Sequence, residues 1–263
     1  MSISRYMSFF SIRTGLALLA VCVYIFVFFP VWTEMVNTWL HSEEYSHGFF
    51  IAPLSLFLVW RKKDKLNQLP VRSSWFGLMF AFAAMLAFLV GHFGHISTLR
   101  SLSVILFLAG SILFLLGPGL FRELLFPIFL LLFMIPVPSQ IFSAATIQLQ
   151  LLVSQMSSLM ASRLGVPLFR EGNVIHLADQ TLQVVQACSG LRSLISLLAL
   201  SAVFGYLTLH SNLLRGMLFL SGVPIAVFVN IVRVFLLITF LHFFDLNLTH
   251  GDLHTRFGLV IFA

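Results

Sequence analysis

Residues 75–94, WFGLMFAFAAMLAFLVGHFG, run for twenty positions without one Asp, Glu, Lys or Arg. A helix of that length rises about 30 Å, the thickness of a bilayer's hydrocarbon core, and in lipid it satisfies every backbone polar group internally. Further apolar runs place spans at 15–32, 48–60, 102–116, 120–135, 190–209 and 213–243, with a last one opening near His254. The expected fold is therefore an all-α polytopic membrane protein of about eight transmembrane helices. The run 48–60 is short and holds Pro53, and 213–243 is over-long and holds Pro224, so tilt or kinks are expected in both.

Composition supports this class. The 263 residues are 59% hydrophobic and 9% charged, with a mean hydropathy of +1.02, whereas soluble domains carry about 25% charged residues. One integral membrane domain, 1–263, is expected, with no separate soluble part. The run 15–32 lacks a small-x-small exit and precedes further spans, so it reads as a retained first helix rather than a cleaved signal. Ala263 falls about ten residues into the last span, too few to cross, so that helix is expected to be truncated.

The net charge of +6 does not indicate a nucleic-acid partner, because the basic residues stand singly or in the short cluster RKKDK between two apolar runs. They read as topology signals. With the N-terminus in the cytoplasm, the inner face holds nine of them: Arg5, Arg13, Arg61, Lys62, Lys63, Lys65, Arg72, Arg122 and Arg215. The outer face holds four, Arg100, Arg163, Arg170 and Arg256, and this asymmetry sets the orientation. The longest connection, 137–187, then faces out between spans five and six. Its first half mixes apolar residues with Ser and Gln at helical spacing, which suits an amphipathic helix at the interface. In its second half, Gly172-Asn173 and Ala178-Asp179-Gln180 break short β-branched stretches, so a small β-hairpin delivering the chain to Cys188 is expected.

The residues that could carry chemistry lie around that connection. Cys188 precedes the helix opening at Gly190, where unpaired N–H groups, the helix dipole and nearby arginine favour a thiolate, the form a nucleophile needs. The alternative is the small buried hydrophobe that most free cysteines are, which suits Cys22. Gly190 allows close approach of another backbone, as a peptide substrate requires. Arg192 lies one turn into the sixth span, and Arg233 lies deep in the seventh, about 15 Å below its outer end at 1.5 Å per residue. An ionised side chain at such depth costs at least ~2.5–3.5 kcal/mol on insertion scales, so it normally faces the bundle interior and serves a function there. Asn230, three residues earlier, shares the face of Arg233 and can hydrogen-bond a neighbour there. His250 and His254 stand at i, i+4 at the outer entrance to the last span. One of them could serve as a base for the thiol, the two could hold a metal, or either could simply bond loop carbonyls. The sequence HGDLH lacks the glutamate of HExxH and no third ligand is evident, so no metal and no cofactor are expected.

Taken together, ACSGLRSL, then NIVRV some forty residues on, then His254 with Gly258 four residues later, resemble the exosortases of Gram-negative bacteria and their archaeosortase relatives. YSHGFFIAPLSLFLVW and GNVIHL are similar to the exosortase branch, and the resemblance covers roughly 39–262. It implies a polytopic inner-membrane cysteine transpeptidase or protease in exopolysaccharide-associated protein sorting. Its substrates would be exported proteins with a C-terminal tripartite tail: a Pro-Glu-Pro-like (PEP-CTERM) signal, a transmembrane helix and a basic cluster. The nucleophile would be Cys188, the family arginine Arg233 and the family histidine His254, all at the periplasmic face, with Arg192, Asn230, Gly190 and His250 accessory. A non-enzymatic reading, a transporter or lipid-handling protein binding an anionic headgroup through Arg192 and Arg233, explains the arginines but leaves the cysteine idle.

Overall fold

The computed structural model describes residues 3–42, 44–178, 180–184 and 190–244, of which 3–20 and 190–193 are described in backbone only. Within the chain two compact units are found, Met1–Pro136 and Val137–Ala263.

In the first unit the order is α1 (Ile3–His41), α2 (Gly48–Arg61), α3 (Lys63–Gln68), α4 (Trp75–Phe93), α5 (Ser97–Leu115) and α6 (Pro118–Leu131), closed by a 3₁₀ turn at Leu132–Met134. Helix α1 continues well past the expected end at Trp32. In its polar end Glu34 accepts from Arg100 of α5 through both oxygens, at 3.0 and 2.9 Å. Helices α4 and α5 form a tight pair. A Cβ on Gly77 would lie 2.2 Å from the backbone N of Phe114 and 2.6 Å from the carbonyl of Gly110, so the two backbones touch where a side chain would hold them apart.

Helix α6 carries Pro127, which has no N–H to offer the carbonyl of Glu123 four residues back. Lys62 takes that place, donating to the Glu123 carbonyl at 2.7 Å and to its carboxylate at 3.0 Å, while Lys65 reaches the other oxygen at 2.7 Å. Ser55 donates to the Pro127 carbonyl at 2.9 Å, fixing α2 against α6. At the other end the last carbonyls of this segment are capped from three elements. Trp39 donates to Met134 at 3.0 Å, His47 through Nε2 to Phe133 at 3.0 Å, and Thr98 to Pro136 at 2.8 Å. Basic anchors therefore gather at one end of this unit and the capped carbonyls at the other.

The second unit holds α7 (Ser139–Arg163), a three-stranded sheet, α8 (Gly190–Thr208) and α9 (Asn212–Phe244). The strands β1 (Leu168–Glu171), β2 (Val174–Leu177) and β3 (Thr181–Gln183) are antiparallel in sequence order. Gly172, at φ 62°, turns β1 into β2, a backbone position that glycine adopts without strain. The sheet thus adds a third strand to the hairpin expected from sequence. Its inner residues Ile175 and Leu182, and Val184 just past β3, share a core with Val153 and Ala161 of α7 and with Val234, Leu237 and Ile238 of α9.

Residues 139–163 form one helix, as their spacing leads one to expect. Helix α7 buries Gln150, Val153, Ser154, Ser157, Ser158 and Ala161, one stripe of mostly small residues, and packs on α8 and α9. Small side chains let the helix backbones approach, and serine hydroxyls find backbone partners: Ser157 donates to Val153 at 2.6 Å.

Of the eight expected spans, the described residues supply about half. Four helices among them are long and apolar enough to cross a membrane: Val21–His41, Trp75–Phe93, Ser97–Leu115 and Asn212–Phe244. The number rises to five if Pro118–Met134 with Ser139–Arg163 counts as one broken span. Helix α2, with 14 residues, rises only about 21 Å. In the sixth expected span the apolar stretch is Leu194–Thr208. The eighth, with the residues around His254, lies outside the described residues.

Candidate functional site

Helix α9 has 33 residues and spans about 50 Å, more than a hydrocarbon core needs. Its buried stripe reads Gly222, Ala226, Asn230, Val234, Leu237, Ile238 and Leu241, steps of mostly three and four that set one face against the rest of the unit. Asn230 is the one polar residue in that stripe, 1% exposed. Among the described residues, neither its amide oxygen nor its amide nitrogen has a hydrogen-bond partner. Leaving a buried donor or acceptor unpaired costs about 1–3 kcal/mol per group, so this amide is held there at a cost. Arg233 stands three residues on, half-buried with its Nε shielded from solvent, and one turn before Leu237. The structure thus places a guanidinium and a buried amide at adjoining positions of one helix face, next to the residues that pack on the sheet.

The sheet is fixed to α7 by its first turn. Ser154 donates to the Gly172 carbonyl at 3.0 Å, Arg170 donates to the same oxygen at 2.7 Å, and Asn173 reaches Gln150 at 3.4 Å. The Val184 N–H bonds the Asn173 carbonyl at 3.0 Å, so the chain runs from β3 toward residues 185–189 with Val184 locked in the core. Gly190 is the first residue of α8.

Cys188, His250 and His254 lie outside the described residues, and Arg192 and Gly190 are described in backbone only, within the first turn of α8. Of the candidate residues, the structure brings Asn230 and Arg233 together. Among the described residues no three His, Cys, Asp or Glu side chains gather as a metal site. Cys22 sits exposed on α1, in the other unit.

Sequence reasoning did not single out the polar stripe of α7. Gln150, Ser154 and Ser158 are buried there, and the Ser158 hydroxyl has no partner among the described residues. The signal is Gln, Ser, Ser and Ser at steps of four, three and one from 150, a pattern that an amphipathic reading assigns to solvent.

These features define a multi-pass membrane protein with an arginine part-way along a long apolar helix that packs in one core with a small sheet. The chain matches the family model described as Transmembrane exosortase (Exosortase_EpsH) over residues 39–263, and it belongs to that family. The family is one of membrane enzymes of protein sorting and processing. Comparison with curated proteins and with solved structures finds no match.

Proposed function

We propose that the chain is a cysteine transpeptidase or protease of the bacterial inner membrane that removes C-terminal sorting tails from exported proteins at the periplasmic face. The substrate's own apolar tail helix docks laterally with its basic end toward the cytoplasm, which brings the peptide just outside the membrane to Cys188. The Cys188 thiolate attacks the scissile carbonyl carbon, and the oxyanion that forms is stabilised by the Arg233 guanidinium and by backbone N–H groups at the start of α8. The C–N bond then breaks, and His254 gives the leaving amine its proton. The acyl group remains on sulfur as a thioester until water or an amine takes it. Arg192, Gly190, Asn230 and His250 are accessory, with Asn230 supplying a neutral amide beside Arg233.

The observation that carries this reading is the placement of Arg233 and Asn230 along the face of α9 whose next residues, Val234 and Leu237, pack on the strand leading to position 188. Charged side chains within membrane-spanning helices usually face the bundle interior and mark functional sites. The family match covers all the residues assigned roles. The test is intact-mass analysis of a protein bearing a Pro-Glu-Pro signal, an apolar helix and an arginine cluster, coexpressed with this chain or its Cys188→Ala variant. Loss of the tail only with wild type is expected. Equal processing by the variant removes the proposal.

A further inference from the structure

Among the described residues strand β3 is an outer strand of the sheet, and in sequence it leads to position 188. Its backbone bonding can be read from the register. Leu177 N–H bonds the Gln180 carbonyl at 2.8 Å and Val184 N–H bonds the Asn173 carbonyl at 3.0 Å, while Ile175 faces Leu182 between them. In an antiparallel ladder the hydrogen-bonded pairs alternate, so Leu182 directs its N–H and C=O at β2. Thr181 and Gln183 then direct theirs the other way, off the edge of the sheet. Both residues are exposed, with Leu182 buried between them. Four backbone groups in strand geometry, from residues two positions apart, are thus presented on the strand that precedes Cys188 in sequence. Such an edge accepts an extended chain, and natural proteins usually cover or charge it when it has no such use.

We infer that this edge binds the substrate polypeptide as a fourth strand, the Thr181 and Gln183 amides and carbonyls pairing with two substrate residues two positions apart. This rests on the reading of the chain as an enzyme acting through Cys188. Recognition of this kind makes its contacts to backbone, and it holds the peptide extended so that a carbonyl can be presented to the thiolate. The sheet also suits this role mechanically. Ser154 and Gln150 pin its first turn to α7, and Leu182 of β3 packs in the same core as α9, so the strand is held in place.

The experiment uses the full chain with the tailed coexpressed protein. Thr181→Pro and Gln183→Pro each delete an outward N–H while sparing the bonds of Leu182 to β2, and Thr181→Ala and Gln183→Ala alter only side chains. The proline variants are expected to slow cleavage by about tenfold or more, and the alanine variants to stay within roughly twofold. A photo-crosslinking residue, p-benzoylphenylalanine, placed at Gln183 in the Cys188→Ala background is expected to capture the tailed protein. Placed at Phe169 of β1, it is expected not to. The crosslinks use the native backbone and decide the matter if the proline variants fail to accumulate. Normal cleavage by the proline variants, equal losses in the alanine variants, capture from Phe169 as readily as from Gln183, or capture of a second copy of the chain instead of the substrate overturns the inference. Absence of a Gln183 crosslink when Cys188→Ala has lost cleavage rejects the edge alone. Retained cleavage in Cys188→Ala rejects the enzyme reading beneath it.

Discussion

Replacing Asn230 by Leu should make the protein more stable and less active. The side chain is 1% exposed, and its amide has no partner at either end among the described residues. Each unpaired buried group costs about 1–3 kcal/mol, and a γ-branched apolar residue of similar size removes both. Repacking around the new methyls returns part of that gain, since imperfect fit in a close-packed core costs typically ~1–3 kcal/mol. A net stabilisation of about 1–2 kcal/mol follows, which for a chain of this size corresponds to a rise of roughly 2–8 °C in apparent Tm. Tail processing should fall by about tenfold or more, because Leu removes the amide that stands beside Arg233, the guanidinium assigned to the oxyanion. The assay pairs thermal unfolding in detergent with intact-mass processing rates on the same preparation. A variant that melts several degrees lower and processes normally would refute the reasoning, because the amide would then be a satisfied structural group.

Arg233→Lys keeps the charge but loses the planar fork, and should cut processing by about 10²–10³-fold with the fold intact by the same unfolding assay. Gly77→Ala should destabilise the protein by roughly 1–3 kcal/mol in detergent unfolding, because its Cβ would meet the Phe114 backbone at 2.2 Å, and Gly119→Ala, where a Cβ meets nothing within 4 Å, should not. A reporter enzyme active only outside the cytoplasm should work when fused near Gly172 and fail when fused near Lys63, as the excess of nine over four basic residues requires.

Hydropathy alone made α4 and α9 plain. Their expected runs, 75–94 and 213–243, differ by a residue or so from Trp75–Phe93 and Asn212–Phe244, because long apolar stretches in lipid have no structural alternative. The turn between the first two strands was also legible, since Gly172-Asn173 is a local signal. What failed depends on partners distant in sequence. Helix α1 runs nine residues past Trp32, and there Glu34 meets Arg100, a pairing across 66 residues that no hydropathy window contains. The buried stripe of α7, with Ser154, Ser157 and Ala161, packs on α8 and α9, partners that its composition does not name. In the candidate site, Arg233 stands out through its cost in a membrane. Asn230 was visible only as a neighbour, since nothing in a sequence says that an amide lacks a partner.

The claim on which the mechanism rests is that the scissile acyl group passes through sulfur 188. Acid-quenching wild-type chain in the presence of tailed substrate, followed by peptide mass mapping, tests it most directly. An adduct on Cys188 that neutral hydroxylamine releases, absent from Cys188→Ala, is the expected result. Tail removal with the acyl group carried on a serine, or with no covalent adduct and an active Cys188→Ala chain, would contradict it.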